Sequence, residues 1–168
     1  MSDALVSMGE KIRNIRAQLT SQGAPFEVQQ VTLPDGRSVA AYRNAFQNLA
    51  QVIDAGRVHG AAEFMVYGED RWTFDRFFAA ADALASRLQK QRGIQPGDRV
   101  AIAMRNRPEW AVAFVATALL GAIPAPLNSF GLREELHAAL ADLAPKVLFC
   151  DPERHARVAG DGAPDCVM

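Results

Sequence analysis

The stretch that decides the fold runs from Arg99 to Cys150 and reads RVAIAMRNRPEWAVAFVATALLGAIPAPLNSFGLREELHAALADLAPKVLFC. Three short apolar runs alternate in it with two helical patterns. The runs are Arg99–Met104, Ala122–Pro126 and Lys146–Cys150, and the helical patterns are Pro108–Leu120 and Leu132–Leu143. Strands that alternate with helices at this spacing indicate βαβ units and a parallel sheet. We therefore predict an α/β fold, with a partial parallel βαβαβ sheet inside three α/β/α layers.

The chain before this stretch predicts an N-terminal helix and two β-hairpins. Asp3–Gln22 carries an apolar stripe at helical spacing, and Gly23 and Pro25 end the pattern. The stripe packs on its own domain or on a missing part of the protein, or it belongs to a membrane-surface or partner helix. The expected organisation is an N-terminal helix over residues 1–24, followed by one domain fragment over residues 25–168. The stripe and the basic side of the helix consist of Leu5, Met8, Ile12, Ile15, Leu19 and of Lys11, Arg13, Arg16.

The two hairpins are predicted from turn residues between alternating runs. Asp35-Gly36 lies between the runs of residues 26–42, and Gly68-Glu69-Asp70 separates Glu63–Tyr67 from Arg71–Phe74. Side chains that cap helices are expected at three positions. Asn44 would begin a helix to about Val58 with Phe46, Leu49, Ala50 and Ile53 inward, Thr73 would begin Phe74–Gln91, and Asn106 would cap the helix at Pro108.

Composition and motifs exclude several classes of function. The chain has 168 residues, 49% of them hydrophobic, and a formal net charge of −1, which gives no electrostatic case for nucleic-acid binding. No uncharged apolar run of membrane-spanning length and no secretory leader is recognised, so a cytoplasmic protein without a transmembrane segment is expected. Neither GxxxxGK[ST], GxGxxG, HExxH nor Gly-x-Ser-x-Gly occurs, so we predict no catalytic nucleophile and no metal site within this sequence.

Polar and basic side chains follow all three predicted parallel strands. Arg105-Asn106-Arg107 follows the first strand, Leu127-Asn128-Ser129 the second, and Arg154 and Arg157 the third. Ligands of open α/β folds bind at the carboxyl edge of the sheet, where these segments converge. Each segment has two interpretations. It contacts an anion or another ligand, or it has a structural role only. The structural roles are a helix cap for the first segment, a helix start for the second and a solvated helix face for the third.

The residues also carry a resemblance to a known family. The segments WTFDRFFAAADALASRLQ and GIQPGDRVAIAMRNRPEWAVAFVATALLGAIPAPLNSFGLREELHAALADLAPKVLFCD resemble, in order, the N-terminal portion of AMP-forming acyl-CoA synthetases. Four motifs carry the similarity over residues 64–157. They are the aromatic-Thr-aromatic helix start, the Pro-Gly-Asp-Arg-Val strand entry, the Asn-x-Pro-Glu-Trp helix entry and the Gly-Ala-x-x-x-Pro-Leu-Asn second strand.

The resemblance implies an acid–thiol ligase that uses ATP, Mg and coenzyme A. It implies activation of a fatty or aryl carboxylic acid to an acyl-adenylate and transfer of the acyl group to coenzyme A. The family's phosphate loop, acid pocket and mobile lysine lie downstream, so this chain is expected to be an N-terminal fragment that is inactive alone and that meets the acid through the missing remainder. The resemblance places Leu127, Asn128, Ser129, Arg154 and Arg157 against the nucleotide part of coenzyme A.

A second class of function stays open at this point. The same sheet edge would serve a stand-alone, non-catalytic α/β module that binds a nucleotide or a partner protein. A fragment would also expose apolar surface where the remainder docks, and such surface favours homo-oligomers.

Overall fold

The computed structural model describes residues 2–159 and 165–167. The chain divides into two compact units, Met1–Gln47 and Asn48–Met168. The first unit contains α1 (Ser2–Thr20), β1 (Val28–Thr32) and β2 (Ser38–Tyr42). The second unit contains α2 (Leu49–Asp54), a 3₁₀ helix (Ala55–His59), β3 (Glu63–Tyr67), β4 (Asp70–Thr73), α3 (Phe74–Arg92), β5 (Arg99–Ala103), α4 (Pro108–Leu119), β6 (Ile123–Pro126), α5 (Arg133–Leu143), β7 (Val147–Cys150), α6 (Pro152–Val158) and β8 (Asp165–Val167).

In the first unit, β1 and β2 form the predicted antiparallel hairpin. The turn is closed by Asp35, whose Oδ1 accepts a 3.0 Å hydrogen bond from the backbone N–H of Arg37, and Gly36 supplies the left-handed φ of 83°. Glu27 stabilises the segment that connects α1 to the hairpin. Its carboxylate accepts from the N–H of Gly23 at 2.9 Å and pairs with Nε of Arg43 at 2.6 Å.

In the second unit, the three predicted parallel strands lie side by side. The sheet order is β6-β5-β7-β8, and all neighbouring pairs are parallel. Ile102 of β5 is in register with Pro126 of β6 and with Phe149 of β7. The prolines of β6 occupy an edge strand, where a missing N–H costs no ladder hydrogen bond on the open side. The predicted α/β fold with a parallel sheet is confirmed.

Helices cover both faces of this sheet. On one face, Val100, Ile102 and Phe149 pack with residues of α3 and α4, including Leu88 and Ala116. On the other face, a second apolar cluster joins the strands to α5 and α6; it contains Ala101, Ala103, Leu136, Leu140, Leu148 and Val158. Alternate residues of β5 therefore point into two different cores, which is why its run is apolar almost throughout.

One of the three predicted caps is confirmed, and two are wrong. Oγ1 of Thr73 accepts from the N–H of Arg76 at 3.2 Å and begins α3, whereas Gly93 ends it with a φ of 61°. The cap of α2 is Asn48 rather than Asn44, since Oδ1 of Asn48 accepts from the N–H of Gln51 at 3.0 Å.

The side chains assigned to that first short helix differ accordingly. Phe46 lies outside α2 and is exposed, and Leu49 is exposed at its start, whereas Ile53 packs against the aromatic cluster of α3. The cap of α4 is the backbone of Arg107 rather than the side chain of Asn106. Pro108 is the first helical residue, and the residue before a proline is restricted to extended backbone, which is the conformation an N-cap requires.

Candidate functional site at the carboxyl edge of the sheet

The carboxylate of Asp151 connects two of the loops that follow the parallel strands. Its Oδ2 accepts a 3.0 Å hydrogen bond from the N–H of Arg105 after β5, and its Oδ1 accepts a 2.9 Å bond from the N–H of Arg154 in α6. Asp151 is the N-cap of α6, with Pro152 at the first helical position, and its side chain is buried. The loop after β5 and the start of α6 are therefore held together by one buried acid.

The surroundings of Asp151 lower the pKa of its carboxyl group. Desolvation by burial acts to raise its pKa, but hydrogen bonds from the backbone N–H groups of Arg154 and Arg105 and the charge of Arg154 lower it more. The net result is a pKa below the ordinary value of 3.8. The anionic form is the one that satisfies its partners.

Arg154, predicted as a ligand-binding residue, is buried and bonded to the protein. Its side chain is 2% exposed. Nε donates to the carbonyl oxygen of Ser129 at 2.7 Å, and Nη1 donates to Oε2 of Glu153 at 2.7 Å and lies 3.4 Å from Oδ2 of Asp151. The guanidinium thus ties the loop after β6 to the start of α6.

Arg157, the second predicted arginine, reaches the same loop one turn further along α6. Nη1 donates to the carbonyl oxygen of Gly131 at 3.1 Å, and Nη2 donates to Oε1 of Glu153 at 2.6 Å. Its side chain keeps 32% of its surface exposed. Glu153 therefore bridges the two arginines, and Arg157 retains access to solvent.

The loop after β6 is a compact turn. The N–H of Leu127 donates to the carbonyl oxygen of Ile102 at 2.9 Å and continues the parallel ladder. Oδ1 of Asn128 then accepts from the N–H of Phe130 at 3.0 Å, and its carbonyl oxygen accepts from the N–H of Gly131 at 2.9 Å. Asn128 and Phe130 are exposed.

The structure brings the predicted residues of the second and third crossovers together. Arg154 donates directly to the carbonyl oxygen of Ser129, and Arg157 reaches the same loop at the carbonyl oxygen of Gly131. Leu127 and Asn128 belong to this loop. The first crossover contributes Arg105, whose guanidinium lies 4.6 Å from the centre of the exposed Phe130 ring. The result is one surface with cationic, amide and aromatic groups at the carboxyl edge of the sheet. We call this surface the edge site, and it consists of Arg105, residues 127–131, Asp151, Glu153, Arg154 and Arg157.

Four residues of the edge site were missed by the sequence reasoning: Phe130, Gly131, Asp151 and Glu153. A signal existed for Asp151, because an acid followed by proline directly after an apolar strand has the pattern of a helix N-cap. A signal existed for Glu153 as well, because it lies four residues before Arg157 on α6 and side chains at that spacing share a helix face. No sequence signal connects Gly131 with Arg157, since these residues are 26 positions apart.

A cleft of about 240 Å³ lies beside the edge site. It is bounded by the end of β5, the start of α4 and the start of α6, and Nε of Arg107 lies 3.3 Å from Oε2 of Glu109 at its wall. The residues that line the cleft are Met104, Arg107, Glu109, Cys150, Asp151 and Pro152.

Over the described residues, no three His, Cys, Asp or Glu side chains are grouped so that they could hold a metal ion.

Comparison with known proteins identifies the family. The profile of the AMP-binding enzyme family matches residues 53–167, and the chain belongs to this family. A medium/long-chain-fatty-acid–CoA ligase, FadD6 of Mycobacterium tuberculosis, is 34% identical over 110 residues, which cover 66% of this chain and 18% of the relative. An L-proline–[L-prolyl-carrier protein] ligase of Streptomyces coelicolor is 36% identical over 108 residues, covering 64% of this chain and 20% of the relative.

Solved structures share the fold. NpsA-ThdA, an artificially fused adenylation-PCP di-domain from Klebsiella oxytoca, superposes with a TM-score of 0.67 at 23% identity, covering 76% of this chain and 24% of that chain. This chain spans about a fifth of the length of these two curated relatives. Within the part of the chain that the structure describes, no helix has the length and apolar character needed to cross a bilayer.

Proposed function

We propose that this chain is the N-terminal part of an AMP-forming ligase that activates a fatty or aryl carboxylic acid and transfers it to coenzyme A. The observation that carries the proposal is the family match over residues 53–167. The names of the relatives at 34–36% identity share the activation of a carboxylic acid, while their acceptors differ: coenzyme A for FadD6 and for a 2-succinylbenzoate–CoA ligase of Bacillus velezensis, a carrier protein for the proline ligase.

The proposed reaction has two steps. The carboxylate oxygen of the acid attacks the α-phosphorus of ATP, forming an acyl-adenylate and releasing pyrophosphate. The sulfur of the coenzyme A thiolate then attacks the acyl carbon, a thioester forms and AMP leaves with the bonding electron pair. ATP with Mg²⁺ enters this proposal through family membership alone, and we assign it no residue in the described part of the chain.

We propose the edge site as a wall for the nucleotide portion of coenzyme A, formed by Leu127, Asn128, Ser129, Arg154 and Arg157. An anionic nucleotide suits this surface, since Arg157 and Arg105 offer cations beside the exposed amide of Asn128. Arg157 is the direct contact in this proposal, because a third of its side chain is exposed. Arg154 is a positioning residue, because its buried guanidinium holds the loop that carries Asn128.

The test uses the protein encoded by the complete reading frame. Carboxylate-dependent ATP–pyrophosphate exchange with a panel of fatty and benzoic acids measures the first step, and thioester formation measures the second. For Arg157→Ala we expect a KM for coenzyme A that is about tenfold higher, because one ionic contact is lost. The rate of ATP–pyrophosphate exchange should stay unchanged. Arg133→Ala is the matched control, because Arg133 is an exposed arginine whose Nη2 donates to the carbonyl oxygen of Ala159.

Two results would contradict these proposals separately. If Arg157→Ala supports ATP–pyrophosphate exchange and its KM for coenzyme A is unchanged, Arg157 does not contact coenzyme A, and the ligase proposal still stands. Failure of exchange with every acid contradicts the ligase itself and favours a non-catalytic module that binds a nucleotide or a partner.

A further inference from the structure

The first unit exposes an apolar stripe along α1. Met8, Ile12, Ile15 and Leu19 follow one another at helical spacing, and their exposed fractions are 58%, 59%, 55% and 41%. Large apolar side chains in a folded unit are usually covered when they form a continuous row. This row remains open to solvent.

The stripe continues onto the hairpin of the same unit. Phe26 and Tyr42 are 54% and 56% exposed, and their rings meet edge to face with centres 6.2 Å apart. Together with Ile12, Ile15 and Leu19 they line an open groove of about 310 Å³. The helix and hairpin thus present one apolar surface.

Cations border this surface on both sides. At about 3.6 residues per turn, Lys11 falls on one flank of the stripe and Arg16 on the other, while Glu10 and Arg13 fall on the polar face. Arg16 also lines the groove. No ion pair found among the described residues engages Lys11 or Arg16, so both charges are available to a partner.

We propose that this surface, the α1 stripe with Phe26 and Tyr42 between Lys11 and Arg16, binds the surface of a membrane that contains anionic lipids. An interfacial helix buries its apolar face at the level of the acyl chains, while lysine and arginine side chains on its borders reach the headgroups. Charge complementarity favours this occupant over a second copy of the chain. Two stripes packed face to face would place the cationic flanks of one copy against those of the other, which costs free energy.

The experiment measures binding to vesicles by co-sedimentation, with the protein encoded by the complete reading frame. One set of vesicles is phosphatidylcholine, and the other contains about one-third phosphatidylglycerol, which supplies the anionic surface. We expect binding to the anionic vesicles that weakens with salt. Arg16→Glu should lower the partition coefficient roughly tenfold or more, whereas Arg13→Glu, with the same change in net charge on the polar face, should lower it less than about threefold.

A second pair of variants separates apolar insertion from charge. Ile12→Asn should reduce binding about tenfold, and Val58→Asn, at an 82% exposed position of the second unit, should leave it unchanged. Far-ultraviolet circular dichroism checks that the helices remain. Equal losses for Arg16→Glu and Arg13→Glu, equal binding to both vesicle types, or absence of binding would each overturn the proposal. Absence of binding together with a concentration-dependent dimer that Ile12→Asn abolishes would favour a second copy, and absence of binding by a monomer would favour the rest of the protein as the partner of the stripe. The inference does not depend on the ligase proposal, since every residue in it belongs to the first unit.

Discussion

Nε of Arg154 donates a 2.7 Å hydrogen bond to the carbonyl oxygen of Ser129, across 25 positions of sequence. Both partners follow strands of the same parallel sheet, one after β7 and the other after β6. A guanidinium with 2% of its surface exposed thereby holds a loop in place through its backbone. An arginine that sequence analysis assigns to a ligand thus acts within the protein itself.

Replacement of Arg154 by alanine is expected to destabilise the second unit strongly. The change leaves the buried Asp151 carboxylate without its cation and the Ser129 carbonyl without its donor, a loss of about 3–5 kcal/mol for a broken buried ion pair. Urea unfolding followed by circular dichroism measures it. Arg157→Ala, at a partly exposed ion pair, should cost about 1 kcal/mol or less; equal costs for the two variants would contradict the burial argument.

Asp151 should make stability depend on pH in the acid range. Its pKa in the folded protein is lowered, so its contribution is fully present above the unfolded value of 3.8 and declines as the pH falls through the folded pKa. Asp151→Asn presents an amide N–H₂ to backbone donors and should cost about 1–3 kcal/mol at neutral pH.

The measurement for Asp151 is the free energy of unfolding of both proteins from pH 7 to pH 3. The difference between wild type and Asp151→Asn should shrink toward the acid end. A difference that stays constant with pH would mean that ionisation of Asp151 is not what stabilises the edge site.

Thr73→Ala should cost about 1 kcal/mol of stability, because it removes the oxygen that accepts from the N–H of Arg76 at the start of α3. Thr73→Ser keeps that oxygen and should restore most of the loss. Asn106→Ala is the contrasting variant: Asn106 is exposed and does not cap α4, so we expect a change below about 0.5 kcal/mol. A larger cost at Asn106 than at Thr73 would contradict the assignment of the caps.

Leu148→Ala should be among the most costly truncations in the sheet. Leu148 is 0% exposed in β7, between β5 and β8, and deletion of its side chain leaves a cavity worth about 2–5 kcal/mol. Ile123→Ala on the edge strand β6 is the control, with 50% exposure and an expected cost of roughly 1 kcal/mol or less. Thermal unfolding of both variants measures the two costs. A larger loss of stability for Ile123→Ala than for Leu148→Ala would contradict the placement of β7 inside the sheet and β6 at its edge.

Much of the fold could be predicted because it depends on local patterns. The apolar runs of β5 and β7 indicate strands that are covered on both faces, Asp35-Gly36 indicates a tight turn, and Gly93 indicates a helix end. The prediction that Asn106 caps α4 is wrong for a local reason as well. Pro108 is the first helical residue, so Arg107 is the extended residue before the helix. No local pattern shows whether Asn44 or Asn48 caps α2, since asparagine is a good capping residue at either position.

The sequence by itself determined the class of fold and the edge of the sheet at which Ser129, Arg154 and Arg157 would meet. Periodicity and turn chemistry are properties of neighbouring residues, and they suffice for this. Only the tertiary structure decided that Arg154 is buried against Ser129 and Asp151, while Arg157 stays partly exposed. Burial and pairing of a charged group depend on which loops the folded sheet brings within hydrogen-bond distance, and no local pattern records that distance.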